Sequence, residues 1–196
     1  MHIYGITGPS GSGKSILSQY MTKNGVAHID ADRVYHELLV PPSKVLDALK
    51  SAFGDKILAA DGTLDRKALS AIVFNDKEKL SLLNKTVLDF VLEEIRRMIK
   101  ALEKDGFSAV AVDAPTLIES GFHKECDTVI SVLSPKELRI ERIMARDGLS
   151  REKAAERTNA QKTDEFYEEH SDIILMNDGD VEAFFERISA ALPELV

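Results

Sequence analysis

Gly8-Pro9-Ser10-Gly11-Ser12-Gly13-Lys14-Ser15 fits the pattern G-x-x-x-x-G-K-[ST], the glycine-rich loop that cradles nucleotide phosphates. Its surroundings fit as well. The run His2-Ile3-Tyr4-Gly5-Ile6 before it is short and rich in strand-favouring residues. After it, Ile16, Leu17, Tyr20 and Met21 fall at helical spacing, and Gly25 is a natural stop for a helix ending near Asn24. Strand, glycine loop and helix are the order that the motif requires. Gly11 and Gly13 let bare backbone N–H groups turn inward around a phosphate. The helix start adds its positive dipole end. Lys14 can reach β- and γ-phosphates, and the Ser15 hydroxyl can ligate Mg²⁺. The loop predicts a nucleoside triphosphate and leaves its use open.

Composition narrows the classes. With 196 residues, 44% hydrophobic and 30% charged, the chain can build one sizeable core with an inserted subdomain. No apolar run approaches the roughly 18 residues of a membrane span, and the start of the chain does not read as a signal peptide. Neither membrane binding nor export is expected. Cys126 is the only cysteine, so no intramolecular disulfide can form, which suits a reducing cytoplasm. The histidines have no metal-ligand spacing. A net charge of −8 argues against general nucleic-acid binding. The exception is Lys136 to Lys162, which holds eight basic residues against five acidic ones. Local positive charge of this kind is what a polyanionic substrate needs.

Val26 to Ile29 reads as a second strand ending at Asp30-Ala31-Asp32, with a helix from about Arg33 to Leu39 that Pro41-Pro42 breaks. Ser43 to about Lys104 reads as helical, punctuated at Gly54 and Asp61-Gly62. Its apolar stripes are Val45, Leu46, Leu49, Phe53; then Leu69, Ile72, Val73, Phe74; then Leu83, Val87, Phe90, Val91, Ile95, Met98. Ser108 to Asp113 and Thr128 to Leu133 have the character of buried parallel strands. Pro135 opens a helix that carries Arg139, Arg142 and Arg146 on nearly one face, and a polar helix starts near Ser150. Asp172 to Met176 is a last strand, and Asn177-Asp178-Gly179 turns into an amphipathic helix. The alternation predicts an α/β fold: a three-layer α/β/α P-loop NTPase with a parallel central sheet, a helical substrate-side insertion and a helical lid. The expected core is about 1–32, 105–146 and 170–196, the insertion about 33–104 and the lid about 147–169.

In such sheets ligands bind beyond the carboxyl ends of the strands. The glycine loop, Asp30/Asp32, Asp113 to Glu119 and Asn177 all converge there. Nearly the whole chain resembles the dephospho-CoA kinase family. The resemblance is carried by Gly5-Ile6-Thr7-Gly8 with the loop, Ile29-Asp30-Ala31-Asp32, and Asp61-Gly62-Thr63-Leu64-Asp65-Arg66 followed by Leu69, Val73 and Phe74. It continues through Leu83-Asn84, Pro115-Thr116-Leu117-Ile118-Glu119, Arg142 with Arg146, Ala160-Gln161, and Asp172-Ile173-Ile174 with Asn177. The chain departs from the family pattern at Pro9, Leu88-Asp89, Thr116 and Arg139, the last standing where the family commonly has Gln.

The resemblance implies transfer of the γ-phosphoryl of ATP to the ribose 3′-hydroxyl of dephospho-CoA, with Mg²⁺. It implies ATP binding by Gly11, Ser12, Gly13, Lys14, Ser15, Ile16, Arg142, Asn177 and Gly179, the last two near the adenine. It implies substrate binding by Thr7, Asp32, Arg66 and Glu119. Lys14, Asp32 and Arg142 would be catalytic, with Asp32 facing the acceptor hydroxyl; alternatively Asp32 caps the helix that starts at Arg33. Asp113 could hold Mg²⁺ through water or cap its strand. Rival readings are another P-loop kinase of a nucleoside, nucleotide or sugar acid, and a catalytically silent nucleotide sensor or GTPase-like switch. Against the switch, Asn84-Lys85-Thr86-Val87 lacks the Asp of a base-reading motif.

Overall fold

A computed structural model describes residues 1–73 and 76–193. In chain order the elements are β1 (His2–Thr7), α1 (Lys14–Lys23), β2 (Ala27–Asp30), α2 (Ala31–Leu38), α3 (Lys44–Phe53), α4 (Arg66–Val73), α5 (Lys77–Lys104), β3 (Ala109–Asp113), β4 (Thr128–Leu133), α6 (Lys136–Asp147), α7 (Arg151–Asn159), α8 (Asp164–Glu168), β5 (Ile173–Met176) and α9 (Val181–Ala191). They fall into two compact units, one of Met1–Ile29 with Ala101–Val196, the other of Asp30–Lys100.

The first unit is built on a sheet of order β2-β3-β1-β4-β5. β1 pairs in parallel with β3, from His2 opposite Ala109 to Ile6 opposite Asp113. On its other edge it pairs in parallel with β4, and β4 with β5. A parallel sheet needs cover on both faces, and the inner strands β1, β3 and β4 are accordingly mostly apolar and buried. One face is closed by Leu17 and Met21 of α1, Phe184 and Ile188 of α9 and Leu192 just beyond it, packed on Tyr4, Ile6, Ala111, Ile130, Val132 and Leu175. Side chains of opposite parity point to the other face. There Leu133 meets Ile118 and Tyr167, the latter on α8. This is the α/β/α layering that the alternation of elements predicts. The short acidic α8 is not predicted by the sequence pattern. Asp164 to Glu168 offers only Phe166 and Tyr167 as apolar residues, too few to set a helical period.

The second unit is helical. Leu39, Val45, Leu49, Phe53, Ile57, Leu69 and Val73 form its core, with Leu83, Val87 and Phe90 of α5 against them. Phe74, assigned to one of the stripes, lies outside the described residues. The break expected at Asp61-Gly62 is a tight turn: Thr63 N and Oγ1 donate to Asp61 Oδ1 at 3.0 and 2.7 Å. Leu58 and Leu64 then bridge, and Asp65 Oδ1 accepts from Lys67 N and Ala68 N, which starts α4 at Arg66. The Asp61 to Arg66 segment thus has a complete conformational reason of its own. Asn84-Lys85 lies within α5. No helix among the described residues is long and apolar enough to cross a membrane.

Candidate active site

The loop leaves β1 where the sheet order reverses, with β3 on one side of β1 and β4 on the other. This is the switch point at which α/β sheets open a crevice. Two of its glycines are required by space and by conformation. Gly8 has φ 133° and a side chain there would stand 2.2 Å from Val132 O; Gly13 has φ 105° and a side chain would stand 2.2 Å from Asn177 Nδ2. The loop therefore lies directly on the ends of β4 and β5.

What holds its shape is a set of donors aimed at its carbonyls. The two N–H bonds of Arg142 Nη1 are shared among Gly11 O at 3.2 Å, Ser12 O at 3.4 Å, Ser134 Oγ at 3.1 Å and Asn177 O at 3.4 Å. Its Nη2 donates to Asn177 Oδ1 at 3.3 Å. Asn177, 2% exposed, donates from Nδ2 to Ser12 O at 2.7 Å. In a planar trans peptide, C=O and the following N–H point opposite ways. Pinning Ser12 O to Arg142 and Asn177 therefore turns the Gly13 N–H to the other side, the orientation an anion cradle needs. Burial holds the Arg142 guanidinium below its ordinary pKa, yet it remains a cation. Ser12 is fully buried and its Oγ has no hydrogen-bond partner. Lys14 Nζ donates to Gly8 O at 2.7 Å and Pro9 O at 3.2 Å, so it curls back over its own loop.

Ser15 is exposed in the first turn of α1. Three residues on, and so on the same face, the Ser18 hydroxyl donates to Asp113 Oδ2 at 2.9 Å, with Lys14 O 3.1 Å away. A hydroxyl and a carboxylate thus meet at the first turns of α1, an oxygen set suited to a hard cation. Ser18 was not singled out from sequence; its spacing from Ser15 is the signal that could have found it. No cluster of three metal-ligating side chains occurs among the described residues.

The three arginines of α6 do different things. Arg139 is buried, its Nη2 3.9 Å from Asp164 Oδ1 and its Nε and Nη1 without hydrogen-bond partners. Arg146 is exposed, donating from Nη2 to Ser10 Oγ at 3.3 Å and in a fork to Asp147. Those bonds, with the Arg146 and Arg157 charges, hold the Asp147 carboxyl below its ordinary range. Gln161, just beyond α7, accepts from Ser10 N at 3.1 Å. α7 rests on α6 through Ile140, Ile143 and Ala154.

The remaining expected residues are dispersed. Thr7 is fully buried and donates to Pro115 O at 3.4 Å. Glu119 is exposed; its charge adds to the burial that pushes the Tyr167 phenol up to about 12. Gly179 is exposed in the turn before α9, where Asp180 is the cap. Ile16 is half-buried against the sheet core. Asp32 and Arg66 belong to the second unit, where Arg66 lies near Tyr35. Asp32 is exposed in the first turn of α2, and the cap of that helix is Asp30, whose Oδ1 accepts from Asp32 N at 2.9 Å and Arg33 N at 3.1 Å. The helix starts at Ala31, two residues earlier than expected, because Asp30 and not Asp32 closes its end. Cys126 is half-buried, its thiol pushed up to about 12 by burial and by Asp127, Glu125 and Asp172, so it stays protonated.

The family model for dephospho-CoA kinase matches residues 2–183. A dephospho-CoA kinase of Carboxydothermus hydrogenoformans is 37% identical over 190 residues, covering 97% of this chain and 92% of that protein. The crystal structure of a Thermus thermophilus protein superposes with a TM-score of 0.81 at 32% identity, covering 100% of this chain and 98% of the other. A dephospho-CoA kinase from Campylobacter jejuni gives 0.73 at 30% identity, over 98% of this chain and 96% of that one. A match that runs through the loop, the helical unit and the Asn177 tail in one register is a match of the entire fold and not of a common loop, and the chain belongs to the dephospho-CoA kinase family.

Proposed function

We propose that the protein moves the γ-phosphoryl group of ATP to the ribose 3′-hydroxyl of dephospho-CoA. The hydroxyl oxygen bonds to the γ-phosphorus, the bond from that phosphorus to the β,γ-bridging oxygen breaks, and coenzyme A and ADP leave. The observation that carries this reading is the family match over residues 2–183 together with a glycine loop held open at the sheet's switch point.

Phosphoryl transfer asks for position and charge neutralisation more than for covalent chemistry. The amides from Gly11 to Ile16 are the proposed phosphate cradle, kept in shape by Arg142 and Asn177. Lys14, with three N–H donors, keeps its hold on the loop and turns a donor to the β- and γ-oxygens, and Arg142 lends the charge of an arginine clamp, with Arg146 beside it. Asn177 and Gly179 border the adenine. Asp32 takes the proton of the 3′-hydroxyl, and Arg66 and Glu119 bind dephospho-CoA. Thr7 acts through the Pro115 carbonyl it holds. Oxygen donors of the kind Mg²⁺ takes stand at α1: the Ser15 hydroxyl would hold it directly and Asp113 through water, and its charge would offset that of the β- and γ-phosphates. Residues 33–104 form the acceptor side, and 147–169 a lid that limits water at the γ-phosphate. The proposed setting is the cytoplasm, with ATP and dephospho-CoA as the partners and neither nucleic acid nor membrane among them.

The test is incubation with ATP, Mg²⁺ and a panel of dephospho-CoA, nucleosides, nucleotides and sugar acids. The account expects phosphate on dephospho-CoA. Phosphate on another acceptor alone would overturn it.

A further inference from the structure

The Ala160-Gln161 pair was singled out in the sequence with no task attached. In the structure Gln161 Oε1 accepts from the Ser10 backbone N–H at 3.1 Å. The same peptide unit offers its other end, Pro9 O, to Lys14 Nζ at 3.2 Å and to Ser12 N at 3.3 Å. A peptide is rigid and planar, so fixing its N–H fixes the direction of its C=O. Pro9 adds stiffness because its ring locks φ. We infer that Gln161 is a positioning residue for Lys14: it clamps the Pro9–Ser10 peptide, and that peptide aims the lysine ammonium.

A second set of contacts meets at Ser10. Its hydroxyl accepts from Arg146 Nη2, Arg146 forks onto Asp147, and Arg157 of α7 donates to Asp147 Oδ2 at 2.8 Å. α7 lies between Asp147 and Gln161, so chain on both sides of it is fastened to one loop residue. Between those fastenings, Ala154 of α7 packs on Ile140 and Ile143 of α6. Gln161 therefore links the loop's lysine to the segment that covers it. Losing this link leaves every phosphate-binding group present and lets the peptide turn. The effect belongs in the orientation of the transferring group and in the exclusion of water, more than in ATP binding.

This inference rests on the phosphoryl-transfer reading above. The experiment compares wild type, Gln161→Ala and Gln161→Glu for kcat, ATP KM, melting temperature, and the ratio of inorganic phosphate released to acceptor phosphorylated. Glutamate keeps an oxygen at the same reach to accept from Ser10 N, and its charge opposes ATP. The expected result for Gln161→Ala is a kcat lower by about 10-fold, an ATP KM within about 3-fold, and a several-fold rise in the hydrolysis ratio. Gln161→Glu should hold the ratio near wild type while its ATP KM rises. A merely structural role would lower the melting temperature and leave the ratio unmoved, and that result in Gln161→Ala would overturn the inference. Should wild type phosphorylate another alcohol of the panel, the acceptor reading fails, and the same ratio is read on that alcohol.

Discussion

Asp30 and Asp32 stand two residues apart and carry different work. Asp30 spends its carboxylate on the backbone N–H groups of Asp32 and Arg33, the work of an N-cap. Asp32 is not the cap of α2 and stands exposed in its first turn, where proton acceptance is the role proposed for it. The two substitutions should separate cleanly. Asp30→Ala should cost about 1 kcal/mol of stability, read as a lower melting temperature. Asp32→Asn should leave the melt unmoved and lower kcat by roughly 10²–10⁴-fold with ATP binding intact. Near wild-type kcat in Asp32→Asn would refute its role. Lys14 makes a second test at this scale. Its ammonium is held by Gly8 O and Pro9 O, both of the loop it serves. Lys14→Ala should stay folded by circular dichroism and lose about 10²–10³-fold in kcat, the scale of one lost donor to developing charge. A variant that keeps its kcat would show that the loop is not the working site.

Helix α6 shows what a pattern can reveal and what it cannot. The spacing of Arg139, Arg142 and Arg146 was legible as one basic face. Their division of labour was not, because it depends on partners far away in the chain: Asp164 for Arg139, the loop carbonyls and Asn177 for Arg142, Ser10 for Arg146. Asn177 illustrates the same limit. Its place after the last strand was readable, but its burial under the loop follows from the parallel pairing of β4 and β5. The strands themselves were legible because buried parallel strands need unbroken apolar runs, which leave a local trace. Arg142 is the residue on which the element-scale account turns. Arg142→Ala should lower kcat by about 10³-fold, the scale of a lost arginine at transferring phosphate. Arg142→Lys should recover only part of it, since an ammonium cannot reach Gly11, Ser134 and Asn177 with one planar fork. Full activity in the lysine variant, read by steady-state kinetics, would show that this bracing is dispensable.

At the scale of the molecule, the sheet order and the helical unit place this chain in its family, and the family places its chemistry. In the proposed design catalysis is a matter of arranged donors: loop amides turned toward phosphate, a lysine aimed by a clamped peptide, and a proposed lid fastened to Ser10. The net charge of −8 and the basic excess from Lys136 to Lys162 fit a protein that gathers polyanions at one place. All of this converges on one product. The most direct measurement is phosphorus NMR of the reaction of wild-type protein with ATP, Mg²⁺ and dephospho-CoA. The account predicts a new phosphomonoester on the ribose 3′-oxygen, formed in equal amount to ADP. ADP accumulating with inorganic phosphate alone, or a phosphate elsewhere on the acceptor, would contradict it.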